Sequence, residues 1–313
     1  MLAIHISRHN IKFAQLVNFK GTPFIESLGK VDLSESIYSP DMTNSQVIMS
    51  LAEQISSIRN SAEFPDTATH LVIDSDWFPM GIHPVDTALS GNDLNKYLKW
   101  YMKEMLEGAL DQYSIVHQEL NRSSAKAAQY LSIALPQSFG SWLDRIIGPS
   151  ELELKNVITE MEAVGNVLTA TKLLDFEGGI QVVLENKENT ISCHMFQDQE
   201  FSGLFHGSLN WDYRITLDHV RGDAKLIELI KEAIERAIKG KRDPDNVLTN
   251  LFYFSSTGDP SLLSNLEKYE VSCQPLNLGN HFNFRDPDSE NIDEYAVVLG
   301  ALNVEIQERF SEN

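Results

Sequence analysis

The chain has 313 residues, of which 42% are apolar, and its 45 acidic and 25 basic residues give a formal net charge of -20. This length allows two compact lobes with separate cores, whereas the acidic balance argues against nucleic acid or an anionic membrane surface as the main partner. The two cysteines, Cys193 and Cys273, lack the spacing of a disulfide framework or a zinc site and favour a reducing cytoplasm. No apolar run approaches the ~20 residues that span a bilayer, so we expect membrane association only through a partner.

The first 33 residues predict an antiparallel meander of three strands. Leu2, Ile4 and Ile6 share one face before a polar stretch, and the alternation resumes at Ile11 and Phe13 after it. Such period-two alternation on both sides of a short polar segment is typical of a hairpin. A third apolar run between residues 24 and 31 completes the predicted meander.

Helices and strands then alternate through the rest of the first half. Apolar residues at three- and four-residue steps predict a helix over 47–58, and residues 70–74 form a short buried strand. A second helix begins at Asp93, with Lys96, Lys99 and Lys103 on the face opposite its apolar stripe. Two strands over 113–116 and 127–135 and a helix over 139–146 follow.

The second half repeats this order. We predict a strand over 151–157, a helix over 162–174, and a hairpin of 179–184 with 190–196 around a polar loop at 185–189. A third strand, a long helix over 217–238, a buried strand over 250–254 and helices over 262–269 and 295–310 follow. The sequence therefore predicts two tandem lobes, residues 1–150 and 151–313, with a small subdomain inserted at about 73–125.

These features resemble the actin-like superfamily, and within it the PilM family of type IV pilus assembly. The resemblance rests on the meander, the tandem repeat and the small-residue segment 295–301, which corresponds to the family's second connecting motif. Residues 72–120 give the closest local match, to the inserted small subdomain. The cytoplasmic domain of GspL of type II secretion shares the same plan. The resemblance implies an actin-like α/β fold of duplicated βββαβα lobes.

The first loop departs from the pattern that this resemblance implies. PilM-like proteins carry an acid, a glycine and a serine cluster there, followed by a lysine. Here neither the acid nor the glycine is present, so the ligands for magnesium-bound water and the close approach of phosphate to the backbone are both missing. The corresponding residues are His5, Ser7, Arg8, His9, Asn10 and Lys12.

The second loop and the adenosine motif are degraded as well. The second loop keeps an acid as Glu185 but has Lys187 in place of the family's glycine, and the adenosine motif reads Ser255 to Gly258. We therefore expect no ATP or magnesium, no cofactor, no catalytic residues and no metal site. One alternative is that Arg8, His9, Lys12 and Lys187 converge on a cleft and hold an anion. A divergent actin-like ATPase that polymerises, and a small-molecule kinase using Glu185, are further alternatives.

The resemblance also implies a partner. PilM-like proteins bind the cytoplasmic N-terminal peptide of a single-span, PilN-like membrane protein, which would make this chain a cytoplasmic scaffold peripheral to the inner membrane. Contacts with other pilus or secretion components remain open. We expect Trp77 and Phe78 to be exposed in part, because neighbours on an extended segment point to opposite faces. The predicted groove is formed by Ile73, Trp77, Phe78, Met80, Tyr97, Trp100 and Tyr101.

Overall fold

The computed structural model forms two compact units that do not follow the halves of the sequence. The first unit contains Met1–Trp77, Ser138–Leu173 and Asn277–Asn313, and the second contains Phe78–Gln137 and Leu174–Leu276. None of the described helices is long and apolar enough to cross a membrane. The structure describes residues 1–37, 42–62, 67–75, 77–106, 109–124, 127–173, 180–187, 190–197, 200–212, 214–239, 250–256, 273–285 and 291–302.

The first unit is built on a five-stranded sheet with the order β3-β2-β1-β4-β8. Strands β1 to β3 form the predicted antiparallel meander, whereas β4 and β8 extend the sheet in parallel from β1. Residues 296–302 are helical. The elements are β1 (Leu2–Ile6), β2 (Asn10–Phe19), β3 (Thr22–Asp32), α1 (Ser45–Ser61), β4 (Ala68–Ile73), α3 (Phe139–Ile147), β8 (Glu153–Thr159) and α4 (Glu160–Ala170), numbered in chain order.

The second unit contains two sheets. The larger has the order β12-β11-β10-β9-β13-β14, and the smaller has the order β5-β7-β6. The elements are β5 (Met80–Asp86), α2 (Gly91–Met105), β6 (Tyr113–Ser124), β7 (Ala127–Pro136), β9 (Ile180–Lys187), β10 (Thr190–Gln197), β11 (Glu200–Leu209), β12 (Ile215–Gly222), α5 (Ala224–Ile238), β13 (Asn250–Ser255) and β14 (Cys273–Pro275).

Burial explains why these sequences adopt these elements. Every residue of β1 is buried, and such a strand reads as a nearly continuous apolar run because both faces of the sheet are covered. In the larger sheet of the second unit, alternate residues such as Val182 and Leu184 join one apolar cluster with Ile230 and Ile234 of α5. The two strand residues are two positions apart and the two helix residues are four apart. Each spacing keeps side chains on one face of its element, so both elements pack against the same core.

The duplication is visible in the strand order. In the first unit β4 returns parallel to the first strand of a meander, and in the second unit β13 returns parallel to β9 in the same way. The predicted boundary at residue 150 differs from the structure, because β8 pairs with β4 and therefore belongs to the first sheet. The insertion also differs from 73–125, since β7 is the central strand of the small sheet and carries it to Gln137.

Candidate functional site

The first turn connects β1 and β2 and closes on itself. The Ser7 backbone N–H donates to the Asn10 carbonyl oxygen over 3.0 Å, and the Ser7 hydroxyl donates to the same oxygen over 2.9 Å. The Arg8 carbonyl oxygen accepts from the Ile37 backbone N–H over 2.8 Å. The polar groups of this turn therefore bond to their own chain, within the part of the first unit that the structure describes.

A buried carboxylate from β4 lies against this turn. Strands β1 and β4 are parallel, so their carboxyl ends meet at one edge of the sheet, and Asp74 directly follows β4. Its Oδ1 lies 2.9 Å from Nε2 of His5, and its Oδ2 accepts from the Arg8 backbone N–H over 3.3 Å. The sequence prediction noted the missing acid at position 5 and missed that Asp74 brings one from the neighbouring strand.

A second buried carboxylate lies at the same edge. Glu160 is the first residue of α4, and its Oε2 accepts from the Ser75 backbone N–H over 3.5 Å. The Ser75 hydroxyl oxygen in turn accepts from the Met161 backbone N–H over 3.1 Å. A helix N-terminus stabilises negative charge, which explains how Glu160 can be completely buried there. The edge thus presents two buried carboxylates, Asp74 and Glu160.

Two basic side chains of the first loop, Lys12 and His9, contact other residues of the first unit. The Lys12 ammonium donates to the Glu294 carbonyl oxygen over 2.9 Å, lies 3.3 Å from Glu294 Oε1 and sits 5.9 Å from the centre of the Tyr295 ring. Burial, with the nearby charge of Glu294, raises the pKa of Tyr295. Nδ1 of His9 lies 2.9 Å from the Ser36 hydroxyl. Lys12 is therefore held as part of the fold.

A cavity of about 450 Å³ opens beside His9, between the chain that follows β3 and the start of α1. Hydroxyl and amide groups line it together with one carboxylate, and none of its lining residues is cationic. A cavity with this lining does not suit a triphosphate, because it offers no positive charge. The lining residues are Leu33, Ser34, Glu35, Ser36, Ile37, Asn44, Gln46, Val47, Ser50 and Leu51.

The predicted second loop begins later than expected. Glu185 lies inside β9, where it is fully buried, and the Lys187 ammonium lies 3.9 Å from its Oε2. The prediction of a polar loop over 185–189 is therefore wrong for residues 185–187, because β9 continues to Lys187. Gly258 and residues 188–189 lie outside the described residues. The convergence of Arg8, His9, Lys12 and Lys187 on one cleft stays a prediction.

Four of the predicted partner residues are buried. Ile73 and Trp77 are in the first unit and Phe78 and Met80 in the second, and each is at most 6% exposed. Trp77 packs edge-on against Trp142 with ring centres 6.4 Å apart. The prediction that Trp77 and Phe78 cannot both be buried is wrong, because the chain passes from one unit to the other between them.

The remaining predicted partner residues form an aromatic cluster on α2. The ring centres of Tyr97, Trp100 and Tyr101 lie 5.8 to 6.1 Å from one another, and Trp100 is 55% exposed. Tyr101 also contacts the buried ring of His83, with centres 4.0 Å apart and the two ring planes tilted by 38°. These three residues, unlike the other four, lie at the surface of the second unit.

His83 makes the stability of the protein depend on pH. Both ring nitrogens are buried without a hydrogen-bond partner among the described residues, and burial lowers the pKa of His83 from 6.5 to about 4. The unfolded chain then binds a proton near pH 6.5 that the folded chain binds only near pH 4. Stability that is present above pH 6.5 is therefore lost as the pH falls towards 4, by about 2–3 kcal/mol.

We expect His83→Leu to flatten this dependence, because leucine has a similar volume and does not titrate. Urea unfolding of both proteins at several pH values between 7 and 4 gives the measurement. The unfolding free energy of His83→Leu relative to that of the wild type should rise by about 2–3 kcal/mol between pH 7 and pH 4, whereas parallel curves would contradict the assignment to His83.

Comparison with known proteins supports the fold. The sequence matches no family model and no curated protein. The solved structure of the PilM-PilN type IV pilus biogenesis complex is 12% identical with a TM-score of 0.66, and the match covers 96% of this chain and 97% of that chain. This likeness and the duplicated strand order confirm the predicted actin-like α/β fold and the resemblance to PilM at the level of fold.

Two further solved structures are similar at lower scores. A Bacteroides thetaiotaomicron protein with an actin-like ATPase fold and unknown function is 12% identical over 95% of both chains, with a TM-score of 0.49. The cytoplasmic domain of EpsL, an inner membrane component of the type II secretion system of Vibrio cholerae, is 10% identical over 81% of both chains, with a TM-score of 0.45.

Proposed function

We propose that this chain is a non-catalytic cytoplasmic scaffold of a type IV pilus or related secretion machine, and that it binds the cytoplasmic N-terminal segment of an inner-membrane partner. The observation that carries the non-catalytic part is the position of Asp74. Its carboxylate accepts the Arg8 backbone N–H that a phosphate would need, so the first turn already holds an internal anion. The structural likeness to a PilM-PilN complex supports the scaffold part.

Electrostatics argues in the same direction. Asp74 and Glu160 are both buried at the edge of the first sheet, and they would repel a nucleotide triphosphate that approaches without a bridging magnesium ion. The lysine that could offset them is paired with Glu294. A site for ATP would require these contacts to be rebuilt, whereas a scaffold requires only that they hold the sheet together.

The partner in this proposal is a single-span membrane protein whose cytoplasmic segment lies close to the bilayer. Such segments carry an excess of lysine and arginine, and a chain with a net charge of -20 offers many acidic side chains that they can contact. Acidic composition, which argues against nucleic acid as a partner, therefore fits a basic juxtamembrane segment.

The first test is nucleotide binding. We expect isothermal titration of the purified chain with ATP and magnesium to give no saturable heat, with any dissociation constant weaker than about 1 mM, because Asp74 already accepts the Arg8 backbone N–H of the turn. Asp74→Asn is the matched variant, since it removes the internal anion and keeps the shape of the side chain. Magnesium-dependent binding by the wild-type chain at micromolar ATP would reject the proposal in favour of a divergent actin-like ATPase.

The second test addresses the partner. The tagged chain is purified from detergent-solubilised membranes of the native cells, and the N-terminal peptide of each enriched single-span protein is then titrated into the purified chain. We expect one such peptide to bind saturably, and more weakly as the salt concentration rises, because its basic residues meet an acidic surface. Enrichment that no N-terminal peptide reproduces would contradict the proposed partner segment.

A further inference from the structure

Helix α2 lies on the small sheet of the second unit with most of its circumference in solvent. Of its fifteen residues only Leu98 and Met102 are buried. Trp100 is 55% exposed and Met105 is 39% exposed, so the helix shows large apolar side chains to water. Isolated exposed apolar residues are common on proteins, but an exposed tryptophan clustered with Tyr97 and Tyr101 is a feature of binding surfaces.

Lysines flank this tryptophan. Lys96 and Lys103 stand four residues before and three residues after Trp100, so they lie on the same side of the helix, and Lys99 is exposed beside them. The sequence prediction placed these lysines opposite the apolar stripe without noting that Trp100 shares their side. The exposed Asp93 and Glu104 stand seven residues before and four residues after Trp100 and share this side too. We call Asp93, Lys96, Tyr97, Lys99, Trp100, Lys103 and Glu104 the α2 face.

The charge of the α2 face is opposite to that of the chain. Helix α2 contains three lysines against Asp93 and Glu104, a net charge of +1, while the whole chain carries -20. The ion pair of Lys96 with Asp93, at 3.5 Å, is exposed and therefore contributes little. Charges more than about 8 Å away are largely screened at physiological salt, so a flat anionic surface that touches α2 senses mainly the charges of this helix, which sum to +1.

We propose that the α2 face binds an anionic lipid surface. Tryptophan and tyrosine rings favour the headgroup region of a bilayer, because they combine an apolar body with a polar tip, and lysines beside them attract anionic headgroups. This is contact with the surface, with no segment crossing the bilayer.

Charge distinguishes this occupant from a peptide. Cytoplasmic segments next to a membrane are enriched in lysine and arginine, so the α2 face would repel them, whereas acidic surfaces elsewhere on the chain attract them. The partner prediction placed Tyr97, Trp100 and Tyr101 in a peptide groove because of the resemblance to PilM-like proteins and their aromatic character, and it did not consider the lysines beside them. The neighbouring lysines favour lipid headgroups instead.

Three lysines and one tryptophan give weak, reversible binding, comparable to other short interfacial contacts. The effect of this weak binding is to orient the chain. A chain that a tether holds near the bilayer has a high effective concentration at the surface, so a weak second contact is enough to fix which side of the chain faces the lipid. The inference does not depend on the proposed scaffold function, since purified chain and vesicles suffice to test it.

The experiment is co-sedimentation of the intact chain with vesicles made of equal amounts of phosphatidylglycerol and phosphatidylcholine, compared with phosphatidylcholine alone. We expect binding to the anionic vesicles only, reduced by salt. Replacing Lys96, Lys99 and Lys103 together by glutamine should weaken binding about tenfold or more, and Trp100→Ala should weaken it severalfold. In a Trp211→Phe background, brominated lipid should quench the fluorescence of Trp100.

Matched variants make these results specific. Replacing Lys155, Lys225 and Lys239 by glutamine removes the same three charges from other places in the chain, and Trp211→Ala removes a side chain that is 94% exposed. Both should bind vesicles as the wild type does, and thermal unfolding checks that all variants fold. No binding by the wild-type chain, equal binding to neutral vesicles, or equal loss in the matched variants would overturn the proposal. Binding of a synthetic acidic peptide without vesicle binding would overturn it in favour of a peptide.

Discussion

Gly300→Ala is expected to lower the free energy of unfolding by about 3 kcal/mol or more. A Cβ atom at this position would lie 1.9 Å from the carbonyl oxygen of Ala163 and 2.9 Å from Cγ2 of Val167, both in α4. The obstacle is backbone, which cannot turn aside as a flexible side chain can. The helical residues 296–302 and α4 therefore depend on glycine for their close approach. Urea unfolding of both proteins measures the difference.

Gly140→Ala is the matched control. Gly140 lies in α3, and a Cβ atom there would have no neighbour within 4 Å. Because alanine favours the helical backbone more than glycine does, we expect this change to raise stability by about 0.5–1 kcal/mol. Two substitutions of the same kind should thus have opposite signs. If Gly300→Ala is as well tolerated as Gly140→Ala, the close approach of the two helical segments is incorrect.

The sequence predicts those elements whose periodicity is local. Alternation around residues 7–9 correctly places β1 and β2, and helical spacing between Val47 and Ile58 falls within α1. Helix α1 buries one apolar face, and β1 alternates along a strand that is covered on both faces, so each pattern follows the period of its element. The repeat of meander and parallel return strand then indicates the actin-like fold.

The predicted helix over 217–238 illustrates a local pattern that misleads. Residues from Ile215 to Gly222 form β12, and α5 begins only at Ala224. The apolar residues of the strand happen to continue the helical spacing of those in α5. The signal that separates them is Gly222, which has a φ of +110° that helices do not contain, followed by Asp223, whose side chain caps α5.

The candidate site was harder to predict because its contacts are distant in sequence. Asp74 lies 69 residues from His5, and Glu160 lies 85 residues from Ser75. Comparing each loop separately with the family pattern shows that the acid is missing at position 5. It cannot show that another strand supplies an acid at the same place. The parallel order of β1, β4 and β8 predicts that Asp74 and Glu160 lie near the end of β1, since the carboxyl ends of parallel strands share an edge of the sheet.

Lys12→Ala is expected to destabilise the first unit by about 3 kcal/mol, because it removes one partner of a buried ion pair and leaves the Glu294 carboxylate with less compensation. Lys12 and Glu294 are 4% and 13% exposed at their side chains, so water replaces the lost ammonium poorly. Chemical denaturation of the wild-type chain and the variant gives the measurement.

Lys30→Ala provides the comparison that assigns this effect to burial. Lys30 lies 3.2 Å from the same carboxylate oxygen of Glu294, but its side chain is 29% exposed, so its removal should cost about 1 kcal/mol or less. A lysine kept for phosphate binding would behave differently: its removal would leave stability unchanged and abolish nucleotide binding. If Lys12→Ala unfolds like the wild-type chain, the ion pair does not hold this lysine, and its ammonium is available to an anion.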